Sequence, residues 1–232
     1  MAKDVIVALD FKDKKTTLDF LDRFVEKKPF VKIGMELFYA EGPSIVKEIK
    51  ARGHKVFLDL KLHDIPNTVK KAMSRLSGLD VDMCNLHAAG GSEMMKAAIE
   101  GLTRADGSRP ILIAVTILTS IGQETLEDEI LIKKDIKSVV GAYASLAAKS
   151  GLDGVVCSPL EASYVKQVCG DGFLTVTPGV RFADGEVGDQ VRVTTPARAK
   201  ELGSDYIVVG RPITASDDPV AAYNRACKEF LA

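Results

Sequence analysis

The chain has 232 residues, of which 46% are hydrophobic and 27% are charged, and its formal net charge at pH 7 is −1. This composition is typical of a globular domain. The nearly balanced charge provides no broad basic surface for nucleic acid or anionic membranes. No apolar run approaches the roughly 20 residues that span a bilayer. We therefore expect neither a nucleic-acid partner nor a membrane-bound protein.

The start of the chain and its cysteines favour a cytoplasmic location. A predicted strand begins at Val5, which leaves no room for a signal peptide. The four cysteines are far apart and form no C-x-x-C pair, as expected for reduced thiols. The three histidines lack the spacing of metal ligands, so we predict no zinc site.

Eight strand-like runs alternate with helical runs along the chain. The predicted strands span residues 5–9, 30–33, 55–60, 83–87, 111–117, 154–157, 174–177 and 206–209. Among the helical runs, residues 136–149 repeat apolar side chains at the spacing of one helix face. Strict alternation of strand and helix predicts a parallel sheet. Eight units in this length favour an α/β fold, a (β/α)8 TIM barrel that forms a single domain over residues 1–232, rather than an open doubly wound sheet.

The third predicted strand carries the most informative pattern. Its leucines alternate with Phe57, Asp59 and Lys61, so the carboxylate and the ammonium point to the same side. A structural ion pair between Asp59 and Lys61 would give the same pattern. We favour a functional site, because charges on a strand buried on both faces are costly unless they are paired or functional.

The carboxyl ends of the strands in a barrel meet at one mouth. The charged residues predicted there are Asp10, Lys32, Asp59, Lys61 and Asp64. Nearby carboxylates favour the charged form of a lysine, and a fixed ammonium is a proton donor rather than a nucleophile. A metal held by the carboxylates is the alternative, but two lysines beside them would compete with a cation.

The last two strands end in sequences suited to an anion. Gly179 and Gly210 allow backbone amides to approach a ligand closely. Arg211 offers a planar fork that matches phosphate oxygens, and Pro212 can begin a short helix aimed at the anion. Barrels often bind phosphate at this position. A surface arginine after an ordinary turn is the alternative.

Two longer stretches, residues 119–133 and 182–193, follow the fifth and seventh strands and are predicted to be irregular. The second is rich in glycine and acidic residues. We interpret it as a lid over the mouth, with a plain surface loop as the alternative.

These motifs together resemble the orotidine 5′-monophosphate decarboxylase family, whose reaction is the last step of UMP synthesis. The matching pieces span almost the whole chain, at residues 7–10, 31–34, 58–68, 116–120, 177–181, 189–190 and 208–212. The stretch D-L-K-L-H-D-I-P-N-T at residues 59–68 is highly specific to the family.

The resemblance implies a homodimeric barrel that decarboxylates orotidine 5′-monophosphate to UMP without a metal or an organic cofactor. It makes Lys61 the acid that protonates carbon 6 of the pyrimidine, and it places Asp59 against the substrate carboxylate. Lys32 and Asp64 would complete the charged chain. Asp64 and Thr68 would reach the site from the partner subunit.

The resemblance also implies a set of substrate contacts. Asp10 and Lys32 would hold ribose hydroxyls, and Thr119 or Ser120 would touch the base. Gln190 would bridge the phosphate and the pyrimidine. The residues expected to bind the substrate are Asp10, Lys32, Asp59, Thr68, Thr119, Ser120, Pro178, Arg181, Gln190, Gly210 and Arg211, and those expected to hold its phosphate are Gln190, Arg181, Gly210 and Arg211.

Two other interpretations fit part of the pattern. Sugar-phosphate relatives, 3-keto-L-gulonate 6-phosphate decarboxylase and hexulose 6-phosphate synthase, are similar at D-x-K-x-x-D and use magnesium, but their residue at the position of Lys32 is acidic. A catalytically inactive barrel could instead bind a nucleotide as a sensor. The intact set of Asp59, Lys61 and Asp64 argues against a sensor, because a pure binder has no reason to bury those charges.

Overall fold

Eight parallel strands form the centre of the fold. The structure is a computed structural model that describes residues 3–184 and 194–232. Each strand pairs with its neighbour in sequence, and β1 also pairs with β8, so the predicted closed (β/α)8 barrel is confirmed. The predicted strands agree with those observed except for one or two residues at some ends. They are β1 (Asp4–Ala8), β2 (Phe30–Ile33), β3 (Val56–Leu62), β4 (Met83–His87), β5 (Ile111–Val115), β6 (Gly154–Val156), β7 (Leu174–Thr177) and β8 (Tyr206–Val209).

Helices connect the strands and cover the barrel. In the described ranges they are α1 (Lys14–Leu21), α2 (Met35–Glu41), α3 (Pro43–Ala51), α4 (Pro66–Leu76), α5 (Gly91–Leu102), α6 (Ile136–Lys149), α7 (Ala162–Cys169), α8 (Pro196–Glu201), α9 (Arg211–Thr214) and α10 (Pro219–Leu231). Helix α6 has the predicted bounds, and the Asp135 carboxylate caps it by accepting the Ser138 N–H at 2.9 Å.

Two stretches, residues 119–133 and 182–193, were predicted to be irregular, and the structure describes the first in full and the second only in part. Residues 119–133 contain one turn of π-helix, Thr125–Glu129, so the prediction of an irregular segment was wrong for those five residues. Of the predicted lid, only residues 182–184 lie in the described part of the chain.

Two apolar layers hold the barrel together. A small cluster lies inside the barrel and consists of Ile6, Ala8, Phe30, Phe57, Met83, Ile113, Val176 and Val208. The alternate strand residues, such as Val5, Val7 and Leu58, pack outward in a larger cluster that includes the buried faces of the helices. The interior is thus filled by side chains, as in barrels of this type.

Three aspartates close the amino-terminal end of the barrel, and each one immediately precedes an even-numbered strand. Each carboxylate accepts a backbone N–H near the start of the preceding odd-numbered strand at 2.8 Å and also pairs with one basic side chain. The three sets are Asp82 with Val56 N–H and Lys50, Asp153 with Leu112 N–H and Arg109, and Asp205 with Thr175 N–H and Lys166. These contacts tie neighbouring strands together.

All four cysteines lie in the described ranges, and within those ranges they form no disulfide. Burial raises the pKa of the Cys84 thiol to about 12. Among the described helices, none combines the length and the apolar character needed to cross a membrane.

Candidate active site

A cavity of about 240 Å³ lies at the carboxyl-terminal mouth of the barrel. Its apolar lining is Phe57, Val115, Ile117, Leu118, Val156, Val176 and Val208, together with Pro178. Its charged and hydroxyl groups are Lys32, Asp59, Lys61, Thr119 and Ser120. Thr119 is buried and Ser120 is exposed. Both alternatives for the predicted base contact line the cavity. This mixture suits a flat ligand with one apolar face and several polar edges.

Four charged side chains form a continuous chain beside this cavity. Lys32 Nζ lies 3.1 Å from Asp10 Oδ1 and 3.4 Å from Asp59 Oδ2. Lys61 Nζ lies 2.8 Å from Asp59 Oδ1. The side chains of Lys32 and Asp59 are only 12% and 11% exposed, whereas that of Asp10 is 61% exposed. The structure therefore brings together Asp10, Lys32, Asp59 and Lys61, with the buried carboxylate between two ammonium groups.

Mutual attraction decides the charge of the two most buried groups. Burial alone would lower the pKa of Lys32, but Asp59 and Asp10 outweigh it and the pKa is raised. Burial alone would raise the pKa of Asp59, but Lys32 and Lys61 outweigh it and the pKa is lowered, with hydrogen bonds from Lys61 and Asn85 acting in the same direction. Lys32 and Asp59 therefore both stay ionised at neutral pH.

Strand β3 delivers two of these charges through its alternation. Phe57, Asp59 and Lys61 line the cavity, while Leu58 and Leu60 pack in the outer core, as the two-residue period predicts. The end of the strand is irregular, because its pairing with β4 shifts register after Leu58. Lys61 itself has a φ of 51°, a left-handed conformation that is uncommon for residues other than glycine.

Asn85 is a member of the charged cluster that the sequence analysis does not identify. Its side chain is buried on β4, donates to Asp59 Oδ1 at 2.7 Å and accepts the Lys61 backbone N–H at 2.8 Å. A polar amide between the apolar residues Cys84 and Leu86 was the available signal, because buried polar groups need partners. Which partners it has depends on strand register, which the sequence pattern does not provide.

Asp64 and Thr68 occupy a different place from the rest of the predicted site. Both are exposed near the start of α4, and Pro66 is the first residue of that helix as predicted. The Asp64 carboxylate accepts the N–H of its neighbour Ile65 at 2.6 Å, and Ile65 is 67% exposed. Within the described part of one chain, Asp64 and Thr68 are not part of the cavity wall.

The predicted phosphate site lies beyond β7 and β8, which are paired neighbours. Gly179 has a φ of +80°, and its carbonyl accepts the Thr194 N–H at 3.2 Å. The Arg181 N–H donates to the Thr194 carbonyl at 2.9 Å. A Cβ at Gly210 would lie 3.9 Å from Asp10 Oδ2. Gly210 immediately precedes α9, so the start of that helix lies beside the charged chain. Residues 179–181 and 210–211 thus flank one part of the mouth.

Arg211 and Gln190 complete the predicted phosphate contacts. Arg211 is exposed as the first residue of α9. Gln190 falls outside the described residues.

Histidines also lie close to the charged chain. The rings of His63 and His87 are 5.5 Å apart. Burial lowers the pKa of His87, and the nearby His63 and Lys61 lower it further. In the described ranges, no three His, Cys, Asp or Glu side chains are grouped to hold a metal ion.

A closed barrel with ionised side chains around a cavity at the carboxyl ends of its strands defines the class of (β/α)8-barrel enzymes. A family model described as the Orotidine 5'-phosphate decarboxylase / HUMPS family matches residues 3–226. The chain belongs to this family, which confirms the resemblance found in its motifs.

Similar proteins extend over the same length. Proteins called orotidine 5'-phosphate decarboxylase from Bacillus cytotoxicus and Bacillus cereus are each 59% identical to this chain, covering 99% of it and 98% of their own length. A crystal structure of orotidine 5'-phosphate decarboxylase from Lactobacillus acidophilus is 45% identical, with a TM-score of 0.89 over 99% of this chain and 100% of that one. An uncharacterized conserved protein from Geobacillus kaustophilus is 49% identical, with a TM-score of 0.87 over 97% of this chain and 99% of that one.

Proposed function

We propose that the protein is an orotidine 5′-phosphate decarboxylase, which converts orotidine 5′-monophosphate to UMP and carbon dioxide in pyrimidine biosynthesis. One observation carries the proposal: the buried chain of Lys32, Asp59 and Lys61 faces a cavity of mixed polarity. Relatives of the same length that are 59% identical have this name.

Lys61 is the proposed proton donor. When the bond between carbon 6 and the carboxylate breaks, its electron pair stays on carbon 6 and carbon dioxide leaves. The Lys61 ammonium, held 2.8 Å from Asp59, gives a proton to that carbon, and solvent then reprotonates the amine. This donor is a side chain, so the step as proposed requires no metal and no organic cofactor.

The remainder of the charged chain supplies a fixed electrostatic field. An sp² carbanion is poorly delocalised, so the enzyme must lower the barrier by roughly 20 kcal/mol, which one ammonium cannot do alone. Lys32 and Lys61 are already oriented by Asp59 before the substrate binds, so little reorganisation accompanies the reaction. Binding energy from the remote phosphate contributes the rest by orienting the pyrimidine.

The other predicted residues are proposed to bind the substrate. Asp10 and Lys32 hold the ribose hydroxyls, and Thr119 or Ser120, with Pro178, contacts the base. The phosphate contacts are Arg181, Gln190, Gly210 and Arg211. The support is positional: residues 179–181 and 210–211 follow paired strands at the mouth, and Gly210 lies beside Asp10.

The proposed active form is a homodimer in which Asp64 and Thr68 reach the partner's site. All six residues 63–68 are exposed at the rim of the barrel, and this stretch includes the apolar Ile65. A two-fold interface uses the same surface of both subunits, and this exposed stretch, which directly follows the charged strand β3, supports such an interface at the mouth. We also propose that residues 1–232 are one catalytic domain and that it works in the cytoplasm, which four cysteines without a disulfide in the described ranges support.

The first test is the loss of orotidine 5′-monophosphate absorbance with purified protein, with and without EDTA, together with detection of UMP. Rapid turnover that EDTA does not change is the expected result. Inactivity on this substrate, with magnesium-dependent turnover of a keto-sugar phosphate, would move the protein to the sugar-phosphate branch. UMP binding without any turnover would instead support a nucleotide sensor.

The dimer proposal has its own test. Lys61→Ala and Asp64→Ala proteins are each expected to be inactive, and they are dissociated, mixed and reassembled. If Asp64 acts across the interface, half of the randomly formed dimers are mixed and each has one intact site, so about a quarter of the activity returns. No recovery, despite mixed dimers shown by native mass spectrometry, contradicts a role for Asp64 in the partner's site.

A further inference from the structure

The irregular end of β3 leaves a gap in the sheet opposite Asn85. Leu58 pairs with Cys84, and Leu62 pairs with Leu86. Three residues of β3, at positions 59–61, therefore face a single residue of β4. In such a bulge the extra residues lose their ladder partners and need others.

The Asn85 side chain supplies those partners. Its Oδ1 accepts the Lys61 backbone N–H at 2.8 Å, and its Nδ2 donates to Asp59 Oδ1 at 2.7 Å. Asn85 is only 1% exposed, so water cannot easily replace it. One amide thus fixes both the backbone of the proposed proton donor and the carboxylate that orients its ammonium.

Chemistry explains why an asparagine serves here. Lys61 N–H needs an acceptor, and the ionised Asp59 needs a donor, so the orientation of the Asn85 amide is set by its two partners. A carboxylate could accept from Lys61 but would repel Asp59. An apolar side chain of similar size could do neither.

The same contact bears on the backbone of Lys61. Its φ of 51° is a strained conformation for a lysine, which persists only when surrounding contacts hold it. The hydrogen bond to Asn85 is such a contact, and it lies directly at the strained residue. Through this bond, Asn85 acts on the position of the Lys61 ammonium as well as on Asp59.

We propose that Asn85 is a positioning residue for decarboxylation, which sets the geometry of Asp59 and Lys61 without touching the substrate. This inference rests on the proposed function. It adds that a residue of β4 sets the spacing between the Asp59 carboxylate and the Lys61 ammonium, both of which lie on the neighbouring strand β3.

The test compares three variants of the full-length protein. Asn85→Leu removes both hydrogen bonds at similar volume. Asn85→Asp keeps an acceptor for the Lys61 N–H, but it replaces the NH2 group that donates to Asp59 with a carboxylate oxygen. Thr175→Val is the matched control, because it also removes a buried side-chain hydrogen bond, to Asp205 at 3.1 Å, but at the opposite end of the barrel.

For Asn85→Leu we expect kcat to fall about 10²-fold, the effect of misplacing a reacting group by about 1 Å. The KM and the dissociation constant of UMP should change by less than about threefold, because the proposed phosphate contacts lie beyond β7 and β8. Thr175→Val should unfold more easily, yet keep its kcat per folded molecule.

Asn85→Asp provides a pH signature that a structural role would not produce. The introduced carboxyl and Asp59 can share one proton, and only the protonated pair restores a donor to Asp59. The ratio of the Asn85→Asp kcat to the wild-type kcat should therefore rise as the pH falls, by at most about tenfold for each pH unit.

The outcomes separate this inference from the proposed function. If wild-type protein does not turn over orotidine 5′-monophosphate, the proposed function fails. If wild type is active and Asn85→Leu keeps its kcat within about twofold, the positioning role is refuted. An Asn85→Asp profile parallel to wild type, or a loss of kcat matched by Thr175→Val, would likewise overturn it.

Discussion

The two ends of the barrel use the same kinds of charged residue in different ways. At the amino-terminal end, each of three aspartates pairs with one basic group and also accepts a backbone N–H from the neighbouring strand. At the carboxyl-terminal end, Asp59 lies between two ammonium groups and accepts its additional hydrogen bond from a side chain, that of Asn85.

The difference separates charges that stabilise the sheet from charges available for chemistry. A carboxylate bonded to a strand N–H cannot move without opening the sheet, so it contributes to folding. The chain of Lys32, Asp59 and Lys61 instead faces the cavity. Burying this chain of charges is costly, and it results in an oriented ammonium at the wall of the cavity.

The largest expected effect is the loss of activity in Lys61→Ala. We expect kcat to fall at least about 10⁴-fold, because the proton donor is removed. The fold and the binding of UMP should remain, since Asp59 keeps Lys32 as a partner. Stopped assays measure kcat, titration with UMP measures binding, and thermal unfolding tests the fold. Nearly normal turnover by this variant would refute the proposed donor.

Asp205→Ala should show the reverse behaviour at the other end of the barrel. It leaves the Lys166 ammonium without its carboxylate and the Thr175 N–H without its acceptor. Since both charged side chains are less than a fifth exposed, we expect a loss of about 3 kcal/mol in the free energy of unfolding. Urea titration measures this loss, with Asp19→Ala in an exposed pair as the control. If the kcat per folded molecule of Asp205→Ala fell together with its stability, the proposed difference between the two ends of the barrel would be wrong.

Arg211→Ala tests whether the charges at the mouth extend to the proposed phosphate contact. We expect kcat/KM to fall by about 10²-fold, or about 2.7 kcal/mol, because remote binding energy is lost. Arg198→Ala, an exposed arginine paired with Glu201, is the matched control. Activity on the 5′-phosphate and on the nucleoside should be compared, and an equal loss on both would argue against a phosphate contact.

The smallest expected effect concerns pH and the buried His54. Its Nδ1 lies 2.9 Å from the Pro29 carbonyl, and Nε2 has no hydrogen-bond partner in the described part of the chain. Burial lowers the pKa of His54 despite the Pro29 carbonyl, and Lys28 and Arg52 lower it further. The unfolded chain therefore takes up protons first, and stability should fall as the pH drops below about 6.5.

The slope from His54 is at most about 1.4 kcal/mol per pH unit. His54→Asn keeps a donor near the Pro29 carbonyl and should reduce the slope between pH 7 and pH 5. His87, whose pKa is also lowered, accounts for a remaining part. An unchanged slope in His54→Asn would contradict this assignment. Asp59 does not contribute in this range, because its lowered pKa affects stability only in more acidic solution.

Much of the fold could be predicted from the sequence, because it depends on local periodicity. Short apolar runs located all eight strands, and a single helical face located α6. The inward direction of Asp59 and Lys61 followed from the same period. Closure of the sheet required the count of units as well as their pattern.

The parts that were missed depend on tertiary pairing. Asn85 contacts Asp59 and Lys61 only because β3 and β4 shift register after Leu58. Asp82, Asp153 and Asp205 resemble ordinary turn residues until their strands are paired. Asp64 and Thr68 are exposed, and their proposed place in a partner's site depends on the geometry of a second chain, which one sequence does not contain.

The backbone of Lys61 carries a cost in stability. Its left-handed conformation would suit glycine better, by about 1 kcal/mol or more, so a sequence optimised for stability alone would not place lysine there. Lys61→Gly should accordingly relieve strain while it removes the ammonium. Under the proposed function, the lysine at this position gives up local stability in exchange for activity.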